Sequence, residues 1–244
     1  MTEGTRLAAY FAQVAEELLA DPGEVTFERV VRRAVQVVPA ADHGSITLRQ
    51  RRGRVETVAS TDVLVDEVDA AQYTLREGPC LDAAFEDASC TVHDLRTDER
   101  WPRWSRFAFD RGLRSALAIR LHAEDRTLGA LNLYATRSGA FDQDTVDTAL
   151  IFASHAAEAL NKARLVSNLE AALESRHLIG MAQGVLAVRY DVPYEAAFTV
   201  LQRFSNDHNI KLRDVARQVL DSRELPGVPD RQRDEDRHGD LDPA

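Results

Sequence analysis

The sequence predicts an α+β domain, an antiparallel sheet flanked by helices, followed by a long coiled-coil-like helix and a three-helix bundle. Three observations predict it. Up to residue 142 the apolar period switches between three-four spacing and strict alternation, in the order helix, strands, helix, strands, helix. From Gln143 to Ser175 there is neither glycine nor proline, and a narrow apolar stripe runs through the segment. From Leu173 to Leu225 every periodic window is helical, with two short breaks.

Leu7, Ala8, Phe11, Val14, Ala15, Leu18 and Leu19 place an amphipathic helix over residues 5–20, ended by Asp21-Pro22-Gly23. Phe27, Val30, Val31, Ala34, Val37 and Val38 repeat the pattern, with Thr26 as N-cap. Residues 45–49 and 55–59 then alternate as two strands of a hairpin. The arginines at its tip, Arg49 to Arg54, read as a solvated turn before they read as a nucleic-acid patch. Asp62 to Leu75 is mixed, a short helix or a loop. Arg76-Glu77-Gly78-Pro79-Cys80 is a turn that launches a helix through Leu81, Ala84 and Phe85, and Cys90 to His93 forms a short strand. A long connection with a short helix over 105–110 leads to two strands, 115–122 and 128–136, joined by a hairpin.

Beyond Gln143, Val146, Ala149, Ala153, Ala156, Leu160 and Ala163 keep three-four spacing, and Val166, Leu169 and Leu173 continue it after a phase slip. So narrow a stripe on so long a helix predicts a parallel homodimer contact. Packing on its own sheet, for which Phe152 is suited, is the alternative for the first turns. The last 50 or so residues of the patterned chain hold three helices, on the apolar sets Leu178–Val188, Ala196–Phe204 and Leu212–Leu220. Asp191-Val192-Pro193 and the polar run Ser205 to Asn209 break them. Gly180 and Gly184, each costing about 1 kcal/mol against alanine inside a helix, point to a close contact there. Pro226 to Ala244 reads as a disordered tail. The expected domain limits are therefore 1–145, 146–172 for the connector, 173–225, and 226–244.

Composition narrows the function classes. With 244 residues, 44% of them apolar, the chain accommodates two domains, and no apolar run reaches membrane-spanning length. No signal peptide is recognisable, and two cysteines predict a reduced, cytoplasmic setting. A net charge of −10 argues against a general nucleic-acid binder. Within 173–225, however, positive and negative side chains balance, so nucleic-acid binding there has to be specific and helped by pairing of two units.

Two resemblances sharpen this. Glu77-Gly78-Pro79-Cys80-Leu81-Asp82-Ala83, Asp94-Leu95, Arg100-Trp101-Pro102, Gly112-Leu113-Arg114-Ser115, Leu128 to Tyr134 and Ala140-Phe141-Asp142 resemble the GAF domain of actinobacterial GAF–ANTAR proteins. This implies a sensory domain with a pocket between the sheet and the overlying segments. Ser175-Arg176, Ile179-Gly180, Ala182, Gly184, Leu186, then Tyr190, Glu195-Ala196, Phe198, then Leu201, Ser205, Asn209 and Lys211 to Ala216 resemble the ANTAR domain. That family implies an RNA-binding antiterminator that recognises paired hairpins in leader transcripts. Gln183 departs from it, standing where a lysine is common.

The candidate RNA contacts are Arg176, Arg189, Arg203, Lys211 and Arg213 for phosphates, and Gln183, Ser205, Asn206 and Asn209 for bases or sugars. The candidate ligand pocket is Cys80, Trp101, Trp104, Phe107, Phe109, Leu117, Ile119, Leu131 and Leu133, for an unknown small molecule; no cofactor is expected. Ordinary packing competes with ligand stacking for the aromatic residues. Histidines at 43, 93 and 122 lack metal-ligand spacing, and no phosphate loop occurs. Cys80 and Cys90 are separated much as in GAF-fold free methionine sulfoxide reductases, but the third, catalytic cysteine of those enzymes is missing. The expectation is a regulator and not an enzyme, with a thiol redox enzyme or a protein-interaction module as alternatives.

Overall fold

The computed structural model describes residues 25–50, 53–85 and 88–225. The helix expected over 5–20, part of the arginine-rich hairpin tip, and the tail 226–244 lie outside them. The chain forms two compact units that divide between Ser167 and Asn168.

In the first unit, α1 (Phe27–Val37) opens on Thr26, whose hydroxyl accepts from the Arg29 N–H. The strands are β1 (His43–Arg49), β2 (Val55–Ser60), β3 (Ser89–Val92), β4 (Ser115–Ala123) and β5 (Arg126–Ala135). They form one antiparallel sheet in the order β2-β1-β5-β4-β3. Leu48 faces Gly129 across the β1–β5 ladder, and a Cβ on Gly129 would lie 1.8 Å from the Thr47 carbonyl oxygen. Only glycine lets the strands meet there.

Three helices cover one sheet face: α2 (Val63–Leu75), α3 (Pro79–Phe85) and α4 (Pro102–Asp110). The ambiguous stretch 62–75 is thus a full helix. Asp62 caps it, accepting from the Leu64 N–H, and Arg76 ends it in the left-handed region. Its mixed pattern has a physical cause: Asp69 and Gln72, both polar, sit on its buried side. The other face carries α1 and the first turns of α5 (Gln143–Tyr190), through Val146, Ala149, Phe152, Ala153 and Ala156. The packing alternative for those turns, Phe152 included, is what the structure shows.

In the second unit the end of α5 packs with α6 (Tyr194–His208) and α7 (Leu212–Ser222) around Ala182, Leu186, Ala197, Leu201, Val215, Ala216 and Val219. The connector and the first bundle helix are one continuous helix, since nothing between Gln143 and Tyr190 stops it except two tolerated glycines. Asp191 at φ 48° and Pro193 supply the first break. The second is shorter than the sequence suggested. Ser205 to His208 complete α6, and Asn209, left-handed at φ 52°, closes it with the Ile210 N–H donating to the Ser205 carbonyl.

Candidate functional site

The pleat of β4 and β5 separates the residues expected to line one pocket. Leu117 pairs with Leu133 and Ile119 with Leu131, and all four belong to the core beneath α1 and α5. Cys80, Trp101 and Trp104 are buried on the opposite face. The nine candidates are therefore not one site: side chains alternate along a strand, and the sequence assignment took the wrong parity. Phe107 and Phe109 pack at the edge of the α2–α4 core. Trp104, fully buried, donates its indole N–H to the Val68 carbonyl at 3.1 Å, and Trp101 meets it edge to face at 6.3 Å. These tryptophans are core. Phe109 lines a cleft of about 540 Å³ between the 95–99 loop and α4, with Leu95, Asp98, Ser105 and Arg106. Phe107 lines a shallower groove of about 480 Å³ between α2 and α4.

What does face the helices from the sheet is Ala116, Ala118, Ala130, Asn132 and Tyr134, and here the interior is polar. Asp69 of α2, fully buried, accepts four hydrogen bonds. Tyr134 Oη (2.5 Å) and Gln72 Nε2 (3.4 Å) reach Oδ1; Ser45 Oγ (2.6 Å) and Thr57 Oγ1 (2.9 Å) reach Oδ2. Behind them, Asn132 Nδ2 donates to Ser45 and Thr47, both at 3.0 Å, and Tyr73 Oη bonds both Thr47 and Thr57. With Asp69 ionised, every hydroxyl finds a consistent direction. Asn132 donates to Thr47, Thr47 to Tyr73, Tyr73 to Thr57 and Thr57 to Asp69, while Ser45 relays the second branch. Asn132 Oδ1 is buried without a hydrogen-bond partner among the described residues. Burial pushes the Asp69 carboxyl up from its ordinary value, and the hydrogen bonds from Ser45, Tyr134 and Thr57 pull it back only in part. Burial and the nearby Asp69 also raise Tyr73 and Tyr134, and push the Cys80 thiol up to about 12. Cys80 and Cys90 are both buried free thiols. A buried thiol with that pKa supplies almost no thiolate at neutral pH.

The Glu77-Gly78-Pro79-Cys80 motif ties this network to α4. Gly78 sits at φ 139°, and a Cβ there would lie 2.1 Å from Gln72 Oε1, which accepts from the Cys80 N–H at 2.9 Å. Glu77 accepts from the Arg103 and Trp104 N–H groups at the start of α4 and from the Arg103 guanidinium at 2.6 Å. Those contacts hold its carboxyl below the usual range, the Arg103 side chain being the largest cause. Asp69, Gln72, Tyr73, Thr57, Asn132 and Tyr134 were not singled out from sequence. The signal was present in β5, where Ala130, Asn132 and Tyr134 interleave with leucines and read as a separate, partly polar face.

In the second unit the RNA candidates divide. Arg203, Asn206, Asn209, Lys211 and Arg213 are exposed around the junction of α6 and α7. Lys211 is the α7 N-cap, and no side chain caps that helix. Arg203 makes a loose pair with Asp207 at 3.6 Å and Arg213 with Asp214 at 3.5 Å. Arg176 is exposed on α5, while Arg189 pairs with Glu224 at 2.5 Å. Two candidates are engaged inside the unit. Gln183, 9% exposed, donates to the Tyr194 carbonyl at 3.4 Å, and Ser205 donates to the Ile210 carbonyl at 2.6 Å. Among the described residues no group of histidine, cysteine and carboxylates is placed to hold a metal, and no helix is long and apolar enough to cross a membrane.

Comparison with known proteins fits both units. Residues 23–161 match the model of the GAF domain, and residues 167–220 match the model of the ANTAR domain. The GAF domain of a phosphoenolpyruvate-protein phosphotransferase from Coxiella burnetii is 17% identical with a TM-score of 0.51, covering 68% of this chain and 99% of that one. The photosensory core module of a Stigmatella aurantiaca phytochrome is 8% identical with a TM-score of 0.55, covering 84% of this chain and 46% of that one. A free methionine-R-sulfoxide reductase from Thermoplasma acidophilum aligns at 12% identity and a TM-score of 0.44, over 55% of this chain and 89% of that one. At these identities the first two likenesses show the fold alone. None of the curated proteins compared matches the chain. A GAF domain followed by an ANTAR domain is the architecture of a sensor-coupled RNA-binding regulator, typical of regulatory and not enzymatic proteins. The chain belongs to the GAF domain family and carries an ANTAR domain behind its GAF domain.

Proposed function

We propose that this protein is a cytoplasmic, signal-responsive antiterminator that binds paired RNA hairpins in leader transcripts as a homodimer. The observation that supports it best is the solvent-open apolar face of α5. Leu165, Leu169 and Leu173 are 49%, 62% and 56% exposed on a helix whose first turns bury their apolar side against the sheet. Half-exposed leucines in successive steps of four, on one side of the helix, fit a helix partner better than water. The ANTAR unit is built on a seven-residue buried core and has balanced charge, so a single copy has little with which to hold RNA. Two copies joined by the connector raise the effective concentration of the second contact.

In this reading the exposed cations Arg176, Arg203, Lys211 and Arg213, with Arg189 once released from Glu224, position phosphates. Asn206 and Asn209 reach loop bases, which is where sequence-specific RNA recognition operates. Gln183 and Ser205 shape the unit instead of touching RNA. An unidentified small molecule or other cue at the GAF domain biases the dimer between two arrangements, as any ligand does when it binds one state better than the other. No cofactor takes part. A gel-shift titration with hairpin pairs at varied separation tests the reading. An optimum separation is expected; affinity indifferent to separation, or to the presence of the second hairpin, overturns it. The thiol enzyme alternative has little support, because burial raises the Cys80 pKa to about 12.

A further inference from the structure

The cleft between the 95–99 loop and α4 measures about 540 Å³, within the ordinary size of small-molecule sites. Loop and helix residues line it, so it lies apart from the Asp69 network on the sheet face. Its walls are held in place. Leu95 donates its N–H to the Arg114 carbonyl at 2.8 Å. The Asp94 and Asp98 carboxylates each accept a backbone N–H from two residues on, Arg96 and Arg100, at 2.9 Å. The Arg100 guanidinium donates to the Thr91 carbonyl at 2.7 Å, and that of Arg114 lies 4.1 Å from the Phe109 ring centroid. A wall built in advance leaves a ligand little ordering to impose on binding.

Two groups in this cleft are left over. Ser105 of α4 is 1% exposed, and its hydroxyl is buried with no hydrogen-bond partner among the described residues. A buried hydroxyl in that condition is costly, and a ligand that bonds it recovers the cost. The second is Glu99. Each arginine around the cleft has its own carboxylate: Arg96 with Asp94 at 3.3 Å, Arg100 with Asp98 at 2.5 Å, and Arg106 with Asp110 at 3.5 Å. Glu99, exposed, has no such partner among the described residues. The cleft therefore carries one uncompensated negative charge beside the apolar surface of Leu95, Pro102 and Phe109.

We infer that this cleft binds a small organic amine. An apolar, ring-sized body lies against Leu95, Pro102 and Phe109, a polar atom bonds Ser105, and the protonated nitrogen faces Glu99. An anion would meet the excess carboxylate there, and a purely apolar molecule would leave the Ser105 hydroxyl unpaired. The inference gives the cue of the function proposed above a place and a chemical class, and rests on that reading for its role alone. The binding itself is tested without RNA, so either can fail while the other stands.

Thiol labelling of the full chain tests this, since both native cysteines are buried. Ser105→Cys should react with the cationic reagent aminoethyl methanethiosulfonate, followed by mass spectrometry against the wild-type chain. Corrected for their rates with a free thiol, the cationic reagent should outpace the anionic sulfonatoethyl one by roughly threefold, and Glu99→Gln should remove the preference. Phenethylamine should protect the introduced thiol, and 3-phenylpropionate should not. With serine in place, phenethylamine should change the fluorescence of Trp101 and Trp104, the chain's two tryptophans. Ser105→Ala should weaken that binding by roughly three- to tenfold while the melting temperature holds or rises, whereas a hydroxyl that serves the fold would lower it. An unreactive Ser105→Cys, equal or faster labelling by the anion, or no protection by phenethylamine overturns the proposal. If the cysteine variant does not fold, the Ser105→Ala titration decides alone, and unchanged phenethylamine affinity overturns it.

Discussion

At the scale of single residues, the physics concentrates on Asp69 and Gly78. Among the described residues Asp69 accepts from four neutral donors, and burial raises its carboxyl above the unfolded value of about 3.9. A group with that shift binds its proton more tightly in the folded state. Its contribution to stability is complete below the unfolded pKa and declines as pH rises toward the folded one. The melting temperature of the wild-type protein should therefore fall, relative to Asp69→Asn, as pH is raised from about 4. Parallel curves would show that the carboxyl is ionised in the fold at no cost. Gly78→Ala should destabilise the GAF domain by on the order of 3 kcal/mol, from backbone strain and a displaced Gln72, measurable by urea unfolding. On the RNA side, Lys211→Ala should weaken binding and reduce the salt dependence by roughly 0.7–0.9 in log–log slope. An unchanged slope removes Lys211 from the contacts.

At the scale of elements, the exposed leucines of α5 make the sharpest claim. Leu169→Glu with Leu173→Glu puts like charges on the proposed seam; sedimentation should show dissociation to monomers with the circular dichroism preserved, because neither side chain is buried. Persistence of a dimer would move the interface elsewhere. Elements with a regular period were legible in the sequence: β1, β2, β4, β5, α1 and the long α5 emerge within a few residues of where periodicity places them. The α2 segment was not, because its inward positions are polar, and hydrophobic periodicity is silent about a buried carboxylate. Pocket membership was not either. Leu117 and Leu133 look alike to Cys80 and Trp104 in composition, but which side of the pleat a residue takes depends on its register with β1 and β3. Gln183 and Ser205 have side chains suited to RNA, and only the fold reveals that Tyr194 and Ile210 use them first.

At the scale of the whole molecule, the architecture of a GAF domain followed by ANTAR was readable from short motifs whose residues turn out to be structural: Glu77 and Gly78 clasp helices together and Arg100 stacks on Trp101 at 4.4 Å. Such motifs report the fold faithfully and the cue not at all. The output is a different matter, because it rests on counting. One ANTAR unit offers few cations, and the proposed pairing of two units by a helical seam would supply the missing affinity as effective concentration, worth roughly 100-fold or more.

The most direct measurement sets dimerisation and RNA affinity side by side. Fluorescence titrations of a two-hairpin and a one-hairpin RNA, run with the wild type and with the Leu169→Glu, Leu173→Glu variant at protein concentrations bracketing dissociation, give both. The account predicts that the wild type prefers the two-hairpin RNA by roughly 100-fold and that the variant prefers neither. A monomeric variant that binds a single hairpin as tightly as the wild type binds the pair would contradict it.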